Sequence, residues 1–197
     1  MKIKEKLIYI NKNILQKNVI IDILKSDGAN HNIDDLVNLW YISVIKKWDC
    51  YYNNTIKSVK NPYIIWWAYV NFDNYMFWWL DRYNKEGFST QISNVFTVYN
   101  NKYSKEIEIL WIRYKFKKVT DDFLYGKKNI NINWKKIYYM NKERLFLEFV
   151  RENIKYDNEY FIDAYKLLDN NRLERVIKKY PIKQVVLKVK EIQNVCR

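Results

Sequence analysis

Lysines alternate with aromatic residues between Arg113 and Lys142. Nine basic residues in this segment meet only Asp121 and Asp122, so it carries +7 of the formal net charge of +13. Ammonium groups neutralise phosphates, and flat aromatic faces stack on unpaired bases. The pattern therefore predicts contact with a polyanion, RNA first. The predicted phosphate contacts within the segment are Lys115, Lys117, Lys118, Lys127, Lys128, Lys135 and Lys136.

Other kinds of chemistry find little support in the residue types. His31 is the only histidine, and no Cys or His stands at a metal-binding spacing. The three glycines are isolated, which disfavours a phosphate-cradling loop. Asp34-Asp35 suits the first turn of a helix better than a cation site. We therefore predict no catalytic residue, no metal and no cofactor, with an enzyme that uses Asp121 and Asp122 as a remote alternative.

Length and composition predict one folded domain over residues 1–197, with an inserted basic segment within 82–142. The chain is 49% hydrophobic, which is enough apolar surface for a core, and its pI of about 9.5 favours acidic partners. Its two cysteines, Cys50 and Cys196, favour a reducing compartment over a disulfide scaffold. The longest apolar stretch, 63–80, is interrupted by Asn71, Asp73 and Asn74, so no stable membrane insertion is expected.

The amino-acid usage also carries information about codons. Only three glycines occur beside 28 lysines, a bias typical of AT-rich genes, yet there are eight tryptophans, whose standard codon is rich in G. Reading UGA as tryptophan, as many mitochondria and mycoplasmas do, removes this discrepancy. The usage therefore indicates an organelle-encoded protein.

Apolar spacing predicts helices near both ends of the chain. The first spans Ile14 to Ser26 and is stopped by Asp27-Gly28. A second runs from Asp34 to Lys47 with Asn32 as its N-cap, and a shorter third covers 50–59. Towards the C-terminus, Leu145 to Val150 and Phe161 to Leu168 form apolar stripes, the latter closed by Asn170-Asn171. A last helix follows Pro181.

The middle of the chain allows two interpretations. Residues 63–81 suit either a hairpin or a buried helix, because runs of Trp and Tyr there do not alternate with polar residues. Residues 92–99 and 106–116 favour a strand pair around Asn100-Asn101, since β-branched and aromatic residues dominate both segments.

Four short motifs resemble the family of the seventh small-subunit ribosomal protein. Ile20 to Gly28 is similar to the family's N-terminal helix that ends Asp-Gly, and Val59-Lys60-Asn61-Pro62 is similar to its Asn-Val-Arg-Pro. Arg144 to Arg151 resembles Arg-Trp-Ile-Val-Glu-Ala-Ala-Arg, and Val176 to Lys179 resembles Ala-Val-Lys-Lys. Together these motifs cover about half of the chain. Phe149-Val150 departs from the family's Ala-Ala pair.

The resemblance implies a mainly α fold, a bundle of five or six helices with one protruding β-hairpin at 63–81 or 91–117. It implies a protein that binds small-subunit rRNA, contacts neighbouring head proteins and lies near mRNA and exit-site tRNA. Together with the codon usage, this predicts a component of the mitochondrial ribosome in the matrix. Further phosphate contacts are then expected at Lys2, Lys4 and Lys6 and at Lys178 and Lys179. The alternatives are another mitochondrial ribosomal protein, an RNA-binding factor, or a peripheral membrane-complex subunit with Trp66, Trp67, Trp78 and Trp79 at its boundary.

Overall fold

The structure is a computed structural model that describes residues 2–28, 31–58, 60–70, 74–78, 86–88, 95–132 and 135–196. Contacts between Cα atoms divide the chain into two compact units. Unit 1 comprises Met1–Asp73, Glu108–Ile112 and Asn131–Ile137. Unit 2 comprises Asn74–Ile107, Arg113–Ile130 and Tyr138–Arg197.

Unit 1 alternates helices with short strands. Its elements are α1 (Ile3–Ile10), β1 (Ile14–Gln16), α2 (Lys17–Asp27), α3 (Ile33–Asn38), β2 (Ile42–Lys46), β3 (Cys50–Asn53) and α4 (Pro62–Val70). Strand β3 lies between β1 and β2 and pairs antiparallel with both, so Tyr51 faces Leu15 on one side and Val44 on the other. Three short strands, of which β1 is separated from β2 and β3 by two helices in the sequence, thus form one small antiparallel sheet.

One apolar core holds the first five elements of unit 1 together. Leu7 of α1, Leu15 of β1, Ile20 of α2, Leu36 of α3 and Ile42 of β2 are all buried in the same cluster. Each of the five elements thus turns at least one apolar side chain towards this cluster, because one face of each helix or strand is apolar. The orientation of α2 and α3 is therefore set by the core beneath them.

The connection between α2 and α3 is determined by residues that end one helix and begin the next. Gly28 ends α2 at φ +63°, a left-handed conformation that glycine adopts without steric cost. Asn32 caps α3: its side chain accepts a hydrogen bond from the Asp35 amide at 3.0 Å, and Asp35 accepts one from the Asn32 amide at 2.7 Å. The predicted stop and cap are both confirmed.

The described residues of unit 2 combine most of a mixed sheet with four α-helices. The strands are β4 (Tyr75–Trp78), β5 (Val95–Asn100), β6 (Lys105–Ile109), β7 (Ile112–Lys118), β8 (Lys127–Ile132) and β9 (Lys135–Met140), in the order β6-β7-β5-β4-β9-β8. Strands β4 and β5 are antiparallel, whereas β5–β7 and β4–β9 are parallel. The helices are α5 (Lys142–Glu152), α6 (Glu159–Lys166), α7 (Asn170–Ile177) and α8 (Lys183–Val195).

Helix α5 is the centre of the unit 2 core. Leu145, Phe146, Leu147, Phe149 and Val150 are all buried, so apolar groups surround the helix. A helix with this pattern requires packing partners on more than one side. Helices α6, α7 and α8 supply such partners, as the C-terminal apolar stripes predicted.

The predicted mainly α fold is wrong, because the chain forms mixed α/β structure with two sheets. The helix expected from Asp34 to Lys47 ends at Asn38, and Ile42–Lys46 is a strand; the helix expected over 50–59 is strand β3 at its start. Ile42, Val44 and Ile45 are β-branched and fit a pleated sheet, and pairing with β3 outweighs their helical spacing.

The predicted hairpins also need correction. Of the two interpretations of residues 63–81, the helix is confirmed over 63–70, which lie in α4. This helix begins at Pro62, because a proline at the first helical position loses no hydrogen bond. Strand β5 does not form a hairpin with the next segment across Asn100-Asn101. It lies between β4, which is antiparallel to it, and β7, which is parallel, and β6 lies beyond β7 in the sheet. Residues 71–73, 79–85 and 89–94 lie outside the described residues.

Near the C-terminus one predicted boundary changes. Asn170-Asn171 begins α7 rather than closing α6, because Asp169 accepts a hydrogen bond from the Arg172 amide at 3.0 Å and caps the new helix. Among the described residues, every helix is too short or too polar to cross a lipid bilayer.

Candidate nucleic-acid interface

Unit 1 brings together basic residues that are far apart in the sequence. The Lys17 amide at the start of α2 donates a hydrogen bond to the Asp49 carbonyl at 2.9 Å. The first turn of α2 therefore lies beside the turn that joins β2 to β3, where Lys46 and Lys47 are found. We call Lys17, Lys46 and Lys47 the turn cluster.

The turn cluster keeps a positive charge although one acid, Asp49, lies beside it. Lys46 Nζ lies 2.7 Å from Asp49 Oδ2, and this hydrogen bond raises the pKa of Lys46. Both side chains of the pair remain substantially exposed, so water screens the attraction. Among the described residues, no acid forms an ion pair with Lys17 or Lys47, which leaves net positive charge at the turn.

Helix α3 presents a polar surface on the side away from the core. Leu36 is buried, whereas Asp34 and Asn38, one helical turn apart, are exposed. Asn and Asp side chains offer the donor and acceptor atoms that read base edges, adenine for an amide and the cytosine amino group for a carboxylate. The helix carries no basic residue, so phosphate contacts must come from its neighbours.

The predicted N-terminal contacts are only partly available. Lys2 and Lys4 are exposed, and Lys2 precedes α1 as its N-cap. Lys6 Nζ lies 3.0 Å from Asp27 Oδ1 and donates a hydrogen bond to Ser26 Oγ at 3.1 Å, and both side chains of the ion pair are mostly buried. Lys6 therefore ties α1 to the end of α2 instead of facing solvent.

Several predicted contacts in the basic segment are used inside the protein. Lys115 Nζ lies 2.6 Å from Glu106 Oε1, and both side chains of this ion pair remain substantially exposed, so this lysine still faces solvent. Lys127 Nζ donates to Asn74 Oδ1 at 3.0 Å, and Lys135 Nζ lies 3.8 Å above the Trp67 ring. Lys117 Nζ lies 4.6 Å from the Trp78 ring centre, and burial lowers the pKa of this ammonium.

The remaining predicted contacts are exposed. They are Lys118, Lys128, Lys136, Lys178 and Lys179. Lys178 is the C-cap of α7, where its positive charge also interacts favourably with the negative end of the helix dipole. Within 113–142, the lysines thus differ in exposure: Lys117, Lys127 and Lys135 are partly buried in contacts within the protein, whereas Lys118 and Lys128 are exposed.

A cation or redox site finds no support in the described part of the chain. No group of three or more His, Cys, Asp or Glu side chains is gathered among the described residues. Asp121 Oδ1 accepts hydrogen bonds from Asn74 and from Asn101, which accounts for this acid without a metal. Cys50 Sγ contacts the Ala68 carbonyl at 3.3 Å, and burial raises the pKa of the thiol to about 11.

The second polar cluster lies in the core of unit 2. Arg144 and Glu148 are fully buried and form an ion pair; Glu148 also accepts hydrogen bonds from the Tyr99 hydroxyl at 3.0 Å and the Tyr180 hydroxyl at 3.1 Å. Arg151 closes the cluster 3.0 Å from the other Glu148 oxygen. Because its central ion pair is sealed from solvent, we interpret this Arg144–Glu148 cluster as structural.

Sequence reasoning missed the turn cluster because Lys17, Lys46 and Lys47 were all assigned to helices, so the turn between strands β2 and β3 was not predicted. A partial signal was present: Gly28 and the Asn32 cap mark two helices joined by a short turn. The assignment failed after Asn38, where strand β2 replaces the expected helical continuation.

Comparison with known proteins supports the fold and nothing finer. No family model matches the chain, and no curated protein matches it. Among solved structures, the chain is similar to the RV2827C protein from Mycobacterium tuberculosis, with a TM-score of 0.66 and 10% sequence identity. The match covers 98% of this chain and 75% of that one. At this identity the likeness concerns the fold alone.

Proposed function

We propose that this protein binds duplex DNA through unit 1. The observation that carries the proposal is the order of elements from α1 to β3, with a short antiparallel sheet in the order β1-β3-β2. Helix–strand–helix–turn–helix followed by a β-hairpin is the arrangement of a winged helix-turn-helix. In helix-turn-helix proteins the second helix of the motif enters the major groove.

Each part of unit 1 has a place in this proposal. Helix α3 is the second helix of the motif, and exposed Asp34 and Asn38 face base edges. The turn cluster supplies the phosphate contacts that α3 lacks, since phosphate contacts position the protein and base contacts specify the sequence. The hairpin of β2 and β3 acts as the wing beside the duplex.

The proposal is tested by measuring affinity for a short mixed-sequence duplex at several salt concentrations. Each lysine that neutralises a phosphate contributes about −0.9 to the slope of log K against log salt. The variant Lys46→Ala/Lys47→Ala should therefore reduce the slope by about 2 and weaken binding for every sequence.

A matched control is available in unit 2. Lys178→Ala/Lys179→Ala removes the same charge from exposed positions outside the motif and should leave the slope within roughly half a unit of the parent's. Equal losses in both variants would mean that only net charge matters. Failure of the parent chain to bind duplex at low salt would refute the proposal.

A second candidate is the ribosomal role that the four motifs imply. The observation that favours it is the set of exposed lysines outside unit 1's motif, Lys118, Lys128, Lys178 and Lys179. Folded rRNA offers phosphates to such dispersed cations. A tagged chain should then migrate with small subunits in a sucrose gradient after a salt wash, and migration at the top of the gradient would contradict this candidate.

A further inference from the structure

Three tryptophans have backbone conformations that large L-residues rarely adopt. Trp40, Trp48 and Trp111 have φ of 59°, 66° and 72°. Positive φ is sterically costly for any side chain with a Cβ, and a bulky residue there is an outlier. The remaining positive-φ positions in the described residues are two other non-glycine residues, Asn11 and Leu110, and the three glycines. Half of the six tryptophans in the described ranges thus have a conformation typical of glycine.

Trp40 ends helix α3 at a position that glycine normally fills. The Trp40 amide donates to the Val37 carbonyl at 3.0 Å, and the Tyr41 amide donates to the Leu36 carbonyl at 3.0 Å. With Leu39 as C-cap, these two bonds form a Schellman motif whose C′ residue is position 40. The C′ residue is left-handed and is usually glycine, sometimes asparagine.

Trp48 lies in the turn of the wing. The Asp49 amide donates to the Lys46 carbonyl at 3.1 Å, which defines a four-residue turn with position 48 third. Positive φ at the third residue alone, with Lys47 at negative φ, is the pattern of a type II turn. That turn type demands glycine or asparagine at its third position.

Trp111 lies in the two-residue turn between β6 and β7. Both central residues have positive φ, 54° at Leu110 and 72° at Trp111. Two-residue hairpins with this conformation are type I′ turns, which favour Asn-Gly or Asp-Gly. Glycine at the second position is the residue that this geometry prefers.

The three indole side chains contribute little packing in return. Their exposed fractions are 73% for Trp40, 62% for Trp48 and 82% for Trp111. A strained conformation persists when surrounding contacts overdetermine it. Here the side chains extend into solvent, so the three positions require a left-handed backbone conformation but no indole side chain.

Composition leads independently to the same residue type. A soluble chain of this length usually has roughly 14 glycines, whereas this one has three. Tryptophan is in surplus, with eight residues. The codon UGA is read as tryptophan in some lineages and as glycine in others. The tryptophan reading explains only the surplus of tryptophan. If UGA codons that specify glycine are translated as tryptophan, the surplus of tryptophan and the deficit of glycine are both explained. We propose that UGA is decoded as glycine in this gene, so that the native protein carries glycine at positions 40, 48 and 111.

The same decoding applies wherever another tryptophan codon is UGA. Asn133-Trp134, which separates β8 from β9 in the sequence, then becomes Asn-Gly, the strongest short hairpin signal. At position 48 the change also removes the ring that lies 5.0 Å from Lys17 Nζ and 5.7 Å from Lys47 Nζ. Both ammonium groups then have no aromatic partner at the wing, a consequence that matters if unit 1 binds DNA as proposed.

The direct test is the gene together with the mass of the native protein. The codons at positions 40, 48 and 111 are read from DNA, and the chain purified from its own cells is digested and analysed by tandem mass spectrometry. UGA codons with glycine masses at all three positions are expected. UGG codons, or tryptophan masses from UGA codons, would overturn the proposal.

A second test needs only recombinant protein. Replacing the three residues by glycine (Trp40→Gly, Trp48→Gly, Trp111→Gly) should raise the melting temperature by roughly 6–10 °C, because the left-handed strain is relieved at each site. The matched triple alanine variant also removes the indoles but keeps a Cβ at positive φ, so its melting temperature should rise by less than half as much.

A glycine variant no more stable than the parent, or alanine and glycine variants of equal stability, would contradict the strain argument. Neither the masses nor the melting temperatures depend on DNA binding. The outcome is therefore separate from the fate of the proposed function.

Discussion

The turn cluster of unit 1 and the Arg144–Glu148 cluster of unit 2 both place cations beside an acid, but in opposite environments. Lys46 and Asp49 are largely exposed and 2.7 Å apart. Arg144 and Glu148 are fully buried, and the Arg144 guanidinium lies between 4.4 and 5.0 Å from three aromatic rings. Chemically similar pairs therefore have different roles.

Solvent exposure decides which role each cluster has. An exposed ion pair contributes little to folding and leaves its cation available to a phosphate. A buried pair cannot reach a ligand, and its hydrogen bonds instead fix how α5 packs. Burial and the adjacent Glu148 carboxylate raise the pKa of Tyr99, so its hydroxyl remains a hydrogen-bond donor at neutral pH.

The largest expected effect comes from breaking the buried pair. Glu148→Ala leaves the Arg144 charge uncompensated in the core and should lower the free energy of unfolding by about 3–5 kcal/mol. Asp49→Ala removes the exposed acid beside the turn cluster and should change the free energy of unfolding by about 0–1 kcal/mol. Urea denaturation measures both variants.

Similar losses in the two variants would remove the contrast between the clusters. If Glu148→Ala does not fold, Glu148→Gln keeps the volume and removes only the charge, and it should still be the less stable of the pair.

A buried polar side chain in unit 1 provides an intermediate case. Asn53 is fully buried, and its Nδ2 donates to the Leu7 carbonyl at 2.9 Å and the Lys12 carbonyl at 3.2 Å. Asn53→Ala should destabilise the protein by about 1–3 kcal/mol, because two carbonyls lose their donor. Asn38→Ala on the exposed face of α3 is the control and should change stability by about 0.5 kcal/mol or less.

A smaller effect is expected at the cap of α3. Asn32→Ala removes the acceptor of the Asp35 amide and should lower stability by about 1 kcal/mol. Asn32→Asp keeps an acceptor and should retain most of the stability, measured by the same urea titration. If both variants lose equally, the cap is not the reason for the loss.

The smallest effect at neutral pH concerns Cys50. Burial raises the pKa of its thiol to about 11, so folding favours the protonated form. The contribution is complete below the ordinary thiol pKa of about 9 and is lost as the pH rises through 11. Cys50→Ala should therefore flatten the fall in stability over that range. An unchanged pH profile in the variant would contradict this assignment.

Several local features could be predicted from the sequence because short-range rules decide them. The stop at Gly28, the Asn32 cap and the helical stripes of α5 and α8 depend on residues within one or two turns of each other. The positive segment at 113–142 is equally local, since it is a count of charges.

The candidate site could not be predicted in the same way. Residues 42–46 have helical spacing, yet they form β2 because β3 offers hydrogen bonds along its whole edge. The turn signals that would have revealed the β2–β3 and β6–β7 hairpins are absent from the sequence, since tryptophan stands at positions 48 and 111.

The sequence by itself determined the charge of this protein, the composition of its core and the ends of several helices, because these properties belong to single residues or close neighbours. Only the tertiary structure decided which cations are free. Lys6 and Lys127 are held by Asp27 and Asn74 in partly buried contacts, whereas Lys17 lies beside Lys46 and Lys47 at one turn. Pairing across the chain depends on packing, which local spacing does not specify.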